Sequence, residues 1–329
     1  QLILARQAAL RIDKELNDVF SEIGRLSQWL TAAPASGDPA EYMRSTLDYT
    51  QAKGLKEIGL ISARREIIES VRTSNPPLLD RKQIMEGCLL TAQTTNLSGL
   101  LRLRGAKARD TIVIGLMCTR MRGERFEGAI LYGVVDVTQL VRLATEGIRS
   151  GKTGYAWVID EQGIFLYHPD HDFIGKNAFT ARAEREPHIS FNDINTIMKE
   201  HMLKGKEGCG KYVSGWHRGI KGETSKLVAY CPVQTPTLPS SRLWSVAVTA
   251  PTSEVAALVD KVRTRHLFTE MAMIASMFGF ALLVFVYQRR ATRLLKRQVS
   301  EQEEFISSIL QNSVDAIVFI DDENQVRMW

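Results

Sequence analysis

The apolar residues of the first thirty positions fall on one helical stripe. Leu2, Ala5, Ala9, Ile12, Leu16, Val19, Ile23, Leu26 and Leu30 recur at three- and four-residue intervals, the period at which one face of an α-helix returns. The spacing predicts a long amphipathic helix over residues 1–33, with a narrow seam suited to rising from a membrane span or to packing on a sheet. "PASGDP", residues 34–39, reads as a loop from its Pro, Gly and Ser content. Short β-rich runs follow: "GLKEIGLIS", "LSGLLRLRG", "DTIVIGLMCTR" and "FEGAILYGVVDV", the last two around the turn-like "MRGER". After the helix-like "TQLVRLATEGIRS" the order restarts, with "GYAWVID", "GIFLYHP", a helical "DINTIMKEHMLKG", then "GKYVSGWHR", "SKLVAYCPV" and "LWSVAVTAP". The pattern predicts an α+β chain of two tandem modules, 34–145 and 146–266, each a helix followed by an antiparallel sheet.

A different pattern occupies Leu267 to Tyr287. "LFTEMAMIASMFGFALLVFVY" holds a single charge, Glu270, near one end, and as a helix it would extend about 30 Å, the thickness of a bilayer core. Arg289, Arg290, Arg293, Lys296 and Arg297 crowd its C-terminal flank against Lys261, Arg263 and Arg265 before it. The positive-inside bias therefore places residues 288–329 in the cytoplasm and 1–266 outside. Ala272, Ala275 and Gly279 give the span a small-residue face for helix packing. Leu295, Val299, Gln302, Ile306 and Ile309 carry the three-four spacing into a linker helix at 288–304 and beyond, which suits a two-helix rod in a homodimer. The chain opens at Gln1 without an export signal and stops inside the strand-like "VFIDDENQVRMW", so it is expected to be an internal piece of a longer protein.

Composition narrows the chemistry. With 329 residues and 44% hydrophobic content the chain can fill two or three cores. The net charge of +5 is spread along the chain rather than gathered in a basic block, which speaks against nucleic-acid binding. The sequence has no Gly-rich phosphate loop, no G-x-S-x-G and no C-x-x-C, so the modules read as binders without a catalytic site or cofactor. One stretch, "TGYAWVIDEQGIFLYHPDHDFIGKN" (153–177), concentrates carboxylates, histidines and aromatics. Asp160, Glu161 and Gly163 suit a turn between two strands. His168 and His171 have metal-ligand spacing but no third ligand. Tyr155, Trp157, Phe165 and Tyr167 are expected to pack the sheet, with the loop after Pro169 bordering a pocket.

"GYAWVIDEQGIFLYHP", "IGKN", "SKLVAYCPV" and "LWSVAVTAP" resemble the membrane-proximal half of a double Cache domain, the extracytoplasmic sensing module of bacterial receptors. "DTIVIGLMCTRMRGERFEGAILYGVVDVTQLV" resembles the closing strands of its membrane-distal half, and "EEFISSILQNSVDAIVFIDDENQVRMW" resembles the opening of a PAS domain, placed at 305–329. The resemblance implies PAS-like sheets sharing the long N-terminal helix. It also implies a small-molecule ligand and a parent receptor in the bacterial inner membrane. A Cache region joined to PAS without a HAMP segment implies a sensor histidine kinase with a cytoplasmic response regulator. A diguanylate cyclase or phosphodiesterase is the second reading, and a membrane-tethered hydrolase is the reading of another class.

In the distal half the resemblance implies pocket positions at Arg102, Arg104, Tyr132 and Asp136. Arginines there suit an anionic ligand, while solvated arginines and a helix cap at Asp136 are the plain alternative. The Arg-x-Trp-Tyr pattern of amino-acid-binding members is absent from that half. In the proximal half the expected pocket residues are Tyr155, Trp216 and Tyr230. Taking "GIKGET" as the turn between "GKYVSGWHR" and "SKLVAYCPV" sets Cys209 opposite Cys231, close enough for a disulfide in an oxidising compartment, with Cys88 and Cys118 left as a distal pair.

Overall fold

The computed structural model describes residues 1–32, 37–74, 77–91, 96–103, 111–121, 126–235, 243–312, 318–320 and 326–328. The predicted first helix is α1, Leu2–Ala32, and the seam positions from Ala5 to Leu30 are all buried. Helix α2, Pro39–Thr50, is capped by Asp38, whose side chain accepts from the Ala40 N–H, and its proline sits at the first turn, where no N–H is needed.

Two five-stranded antiparallel sheets follow. The first holds β1 (Leu55–Ile61), β2 (Ile67–Arg72), β3 (Asn96–Leu103), β4 (Ile112–Arg120) and β5 (Ile130–Asp136), in the order β2-β1-β5-β4-β3. The second holds β6 (Tyr155–Ile159), β7 (Phe165–Tyr167), β8 (Gly208–His217), β9 (Ile220–Val233) and β10 (Trp244–Pro251), in the order β7-β6-β10-β9-β8. The two orders are the same, so the restart of the pattern near residue 150 is a repeat of one module. Helix α3 (Arg81–Thr91) belongs to the first module, α4 (Val137–Thr145) joins the two, and α5 (Ala178–Arg185) and α6 (Asn192–Glu200) lie in the second.

One apolar cluster runs along α1 and takes side chains from both sheets, among them Leu131 and Val135 of the first and Val246 and Val248 of the second. Each sheet also has a second face with its own cluster. In the first module this is built on Ile114, Cys118, Tyr132 and Ile84 of α3, and in the second on Tyr155, Trp157, Phe165, Trp216 and Tyr230 with Ile194 and Met198 of α6. Between the modules, the buried Thr138 hydroxyl accepts from the Val113 N–H of β4 at 2.9 Å and donates to the Leu166 carbonyl of β7 at 3.2 Å.

From Pro251 the chain passes directly into α7, Thr252–Asn312. Residues 259–329 form a separate unit. Within it one stretch of α7 is long and apolar enough to cross a membrane, with mean hydropathy 1.9 and no buried residue. Strands β11 (Val318–Ile320) and β12 (Val326–Met328) pair antiparallel.

Removing the Thr138 hydroxyl strands a buried N–H and frees a carbonyl at once. Thr138→Val is expected to lower unfolding free energy by about 1–3 kcal/mol, and Thr138→Ser to keep most of it, as read by urea denaturation. Loss in Thr138→Ser with none in Thr138→Val would mean that packing of the methyl group, not the hydroxyl, joins the modules.

Candidate functional site

The second face of the second sheet ends in a cleft of about 500 Å³ lined by Tyr155, His168, Pro169, Asp170, His171, Asp172, Trp216, Arg218 and Gly219. Its walls are a loop and a hairpin. The loop, 168–176, returns onto β7: Gly175 donates to the Phe165 carbonyl at 2.8 Å and Phe165 donates to Lys176 O at 2.9 Å. Asp170 caps its short 3-10 turn through the Asp172 N–H and pairs with Arg185. The pocket expected beside Pro169 is therefore present. The turn expected before it is also present, since the Asp160 carboxylate accepts from the N–H groups of Gln162 and Ile164 at 2.9 and 2.8 Å, and Gly163 takes the positive φ, +76°, that the turn requires.

The hairpin wall differs from the sequence expectation. The β8–β9 turn is Arg218-Gly219, not "GIKGET": His217 pairs with Ile220 and both turn residues have positive φ, 44° and 87°, as the tight two-residue turn of a hairpin needs. The register that follows, with a bulge between Ser214 and Trp216, sets Cys209 opposite Ala229. Cys231 is displaced by two positions, and both thiols are free, Cys209 exposed and Cys231 buried. The Cys209–Cys231 bond is thus not formed. Cys88 and Cys118 lie together in the apolar cluster beneath α3 as buried free thiols, and contact with Cys118, then burial, pushes the Cys88 thiol up.

Behind the cleft lies a buried cation. Lys226 is fully buried on β9 and donates to the Trp216 carbonyl at 2.6 Å, to Ser214 Oγ at 3.2 Å and to Tyr155 Oη at 3.3 Å. No carboxylate bonds it among the described residues. Burial, reinforced by the Arg182 charge, lowers its pKa from the ordinary 10.5 to about 7. Arg182 is buried as well. It donates to the Ala178 carbonyl at 3.0 Å and lies over the rings of Trp157 and Phe165 at 5.0 and 5.1 Å. His168, wedged between Tyr155, Phe165 and Phe173, accepts from the Asp170 N–H at 3.0 Å. Burial and then Arg182 hold its pKa well below the usual imidazole value.

On the far side of Tyr155, its ring stacks on His217 at 5.5 Å. Thr153 Oγ1 donates to Glu254 at 2.5 Å, so in its 2.6 Å contact with His217 the imidazole must be the donor, through Nε2–H. Burial and then the Lys226 charge lower the His217 pKa to about 4, so near neutral pH the ring is the uncharged Nε2–H tautomer. Glu254, in the first turn of α7, also accepts from the N–H groups of Lys152 and Thr153 at 2.7 and 3.0 Å. Gly151 is required there, since its φ is +67° and a Cβ would come within 2.6 Å of Glu254 Oε2. Acid, hydroxyl and imidazole stand in the wrong order for hydrolysis: the hydroxyl proton is committed to the acid, and the imidazole donates where a general base would accept.

The residues expected from sequence divide accordingly. Tyr155 and Trp216 meet in the cleft, while Tyr230 lies elsewhere on the same face, its ring 6.0 Å from His201. In the first module Tyr132 is buried and donates to Glu57 Oε1 at 2.8 Å. Glu57 Oε2 is buried without a partner among the described residues, and Arg72 stands opposite Glu57 in the ladder. Gly59 makes room for the Tyr132 ring, which a Cβ would meet at 2.4 Å. Asp136 caps α4 by accepting from the Gln139 N–H at 2.8 Å, which is the plain alternative for that residue. Arg102 sits on β3 paired with Val113, and Arg104 lies outside the described residues. Lys226, Arg182, Glu57 and Glu254 were not singled out from sequence. Lys226 had a signal, a lysine at an inward position of the alternation that buries Val228 and Tyr230.

The depressed Lys226 pKa makes stability depend on pH. Between about 7 and the ordinary 10.5 the unfolded chain holds the proton and the folded chain does not, so stability rises with pH across that window; below it the cost of burying the charge is fully present. Lys226→Met is expected to flatten this rise in urea denaturation measured from pH 6 to 10. An unchanged rise would mean that Lys226 does not titrate there.

A family model described as the Cache domain matches residues 1–259. Among solved structures, the ligand-binding domain of the Pseudomonas aeruginosa PAO1 amino acid chemoreceptor PctB, in complex with L-Arg, is similar at 16% identity and a TM-score of 0.51, over 80% of this chain and 90% of that one. An extracellular ligand-binding receptor from Desulfohalobium retbaense matches at 15% identity and 0.53, over 75% of this chain and 39% of that one. The ligand-binding domain of the Pseudomonas fluorescens chemoreceptor CtaA, in complex with L-isoleucine, matches at 15% and 0.51, over 78% and 93%. No curated protein matches the chain. At these identities the structures attest the fold, and the family match attests membership: over residues 1–259 the chain belongs to the Cache domain family.

Proposed function

We propose that this chain is the small-molecule sensing and signalling region of a membrane receptor. In this reading residues 1–266 lie in the periplasm or outside the cell, 267–287 cross the inner membrane, and 288–329 are cytoplasmic and open a PAS domain. The observation that carries it is the junction of β10 with α7. The last strand of the second sheet continues without a loop into the helix that holds the membrane-length stretch, and Glu254 in the first turn fastens that helix to the 151–153 loop beside the cleft. A change in the cleft therefore bears on the base of the helix through bonded neighbours. Glu254 remains a carboxylate there: burial opposes the charge, but the Thr153 hydroxyl and two N–H groups outweigh it and lower the pKa.

The ligands named with PctB and CtaA support a small metabolite as the signal. Past the membrane stretch, Leu295, Val299, Ile306 and Ile309 are exposed apolar residues at three- and four-residue spacing, with Gln302 as a polar layer, as expected of the seam of a homodimeric rod. The output that fits is a protein histidine kinase acting on a response regulator; a diguanylate cyclase or phosphodiesterase would use the same rod.

Cysteines introduced singly from 295 to 309 in membrane-embedded chains are expected to cross-link at 295, 299, 302, 306 and 309 and not at 297 or 304. A flat pattern, or one peaking at 297 and 304, would contradict the dimeric rod.

A further inference from the structure

The hydrogen-bond count around Tyr155 leaves one donor over. Below about pH 7, where Lys226 keeps its proton, its ammonium has only protons to give, so in its 3.3 Å contact the phenol oxygen of Tyr155 accepts. The phenolic proton has no acceptor among the described residues. Tyr155 is 5% exposed and lines the cleft, so the acceptor that completes it can come from the cleft. Beside it, Arg218 holds its guanidinium 5.7 Å from the Tyr155 ring and, among the described residues, makes one long 3.4 Å contact, to the Gly154 carbonyl.

The charges around the cavity point the same way. Its lining acids are Asp170, tied to Arg185, and Asp172 at the exposed mouth. Behind its lining lie Lys226 and Arg182, both buried and, among the described residues, neither paired with a carboxylate. With Lys226 protonated, positive charge therefore backs the inner end, where the Tyr155 hydroxyl faces the cleft, and the exposed Asp172 stands at the mouth. An anion there would gain a charge-assisted hydrogen bond from a phenol already polarised by a cation.

We propose that this cleft of the second module binds a small monocarboxylate, its carboxylate accepting from the Tyr155 hydroxyl and the Arg218 guanidinium and its far end lying near Asp172. A dianion such as phosphate is disfavoured by Asp172, and a simple amine by the buried cations. The inference rests on the sensor reading for its purpose, but not for its chemistry.

The test uses the 329-residue chain in detergent, titrated separately with acetate, lactate, inorganic phosphate and methylammonium and followed by calorimetry and thermal melting. At least one of the two carboxylates is expected to bind and raise the melting temperature, with phosphate and methylammonium binding at least tenfold more weakly. Tyr155→Phe, which keeps the ring, is expected to weaken that carboxylate about tenfold or more, the effect of losing one hydrogen bond to a charged group. Arg218→Asn, chosen because Asn tolerates the positive φ of the turn, is expected to do the same, and Arg72→Ala in the first module to change nothing. Carboxylate binding unaffected by Tyr155→Phe and Arg218→Asn would overturn the site. Binding of phosphate or methylammonium in place of carboxylate, or of no probe, would overturn the ligand class. In each case the helix cross-linking pattern reports independently on whether the sensor reading stands.

Discussion

Helix α1 has an apolar stripe that both sheets cover. Its 31 residues extend roughly 46 Å at 1.5 Å per residue. The stripe is buried from Ala5 to Leu30, and the cluster along it takes side chains from the first sheet and from its repeat. Its N-terminal half meets the second sheet, where Arg6 bonds Glu207 and Asn17 bonds Thr235. Its C-terminal half meets the first, where Ile23 packs against Gly133. With one face of each sheet taken by α1, the other face of each is the one left to build a pocket.

What those remaining faces hold differs in sign. The first module buries an acid, Glu57, held by Tyr132, and the second buries Lys226 and Arg182, which no acid bonds among the described residues. Leaving an ammonium unpaired in a fold costs stability, and proteins tolerate such groups where binding needs them. The neutral imidazoles of His168 and His217 follow from burial first and from these cations second, since both oppose protonation. From Tyr155 the contacts continue through His217 and Thr153 to Glu254, so the electrostatics of the cleft and the anchoring of α7 belong to one network.

Elements that depend on periodicity were legible in the sequence. The α1 stripe, the two strand series and the apolar stretch of α7 all stand where their patterns put them, because burial imposes period 3.6 on a helix and period 2 on a strand. Contacts that depend on register were not. "GIKGET" has the composition of a turn, yet the chain turns earlier, at Arg218-Gly219, because a non-glycine residue adopts positive φ there; the Cys209–Cys231 pairing failed with that register. Of the three aromatics expected at the proximal pocket, Tyr155 and Trp216 line the cleft and Tyr230, on the same sheet face, does not. Lys226 was not singled out, because a lysine in a strand reads as solvated until the alternation of its neighbours is followed inward.

Hydrogen–deuterium exchange of the full chain in lipid nanodiscs, with and without saturating acetate or lactate, whichever binds, tests most directly whether the cleft is joined to α7. The account predicts protection at 168–173 and 216–219, where the ligand would sit, together with a change at 150–154 and in the first turn of α7 at 252–255. Protection confined to the first module, or protection of the cleft with no change at 150–154 and 252–255, would contradict it.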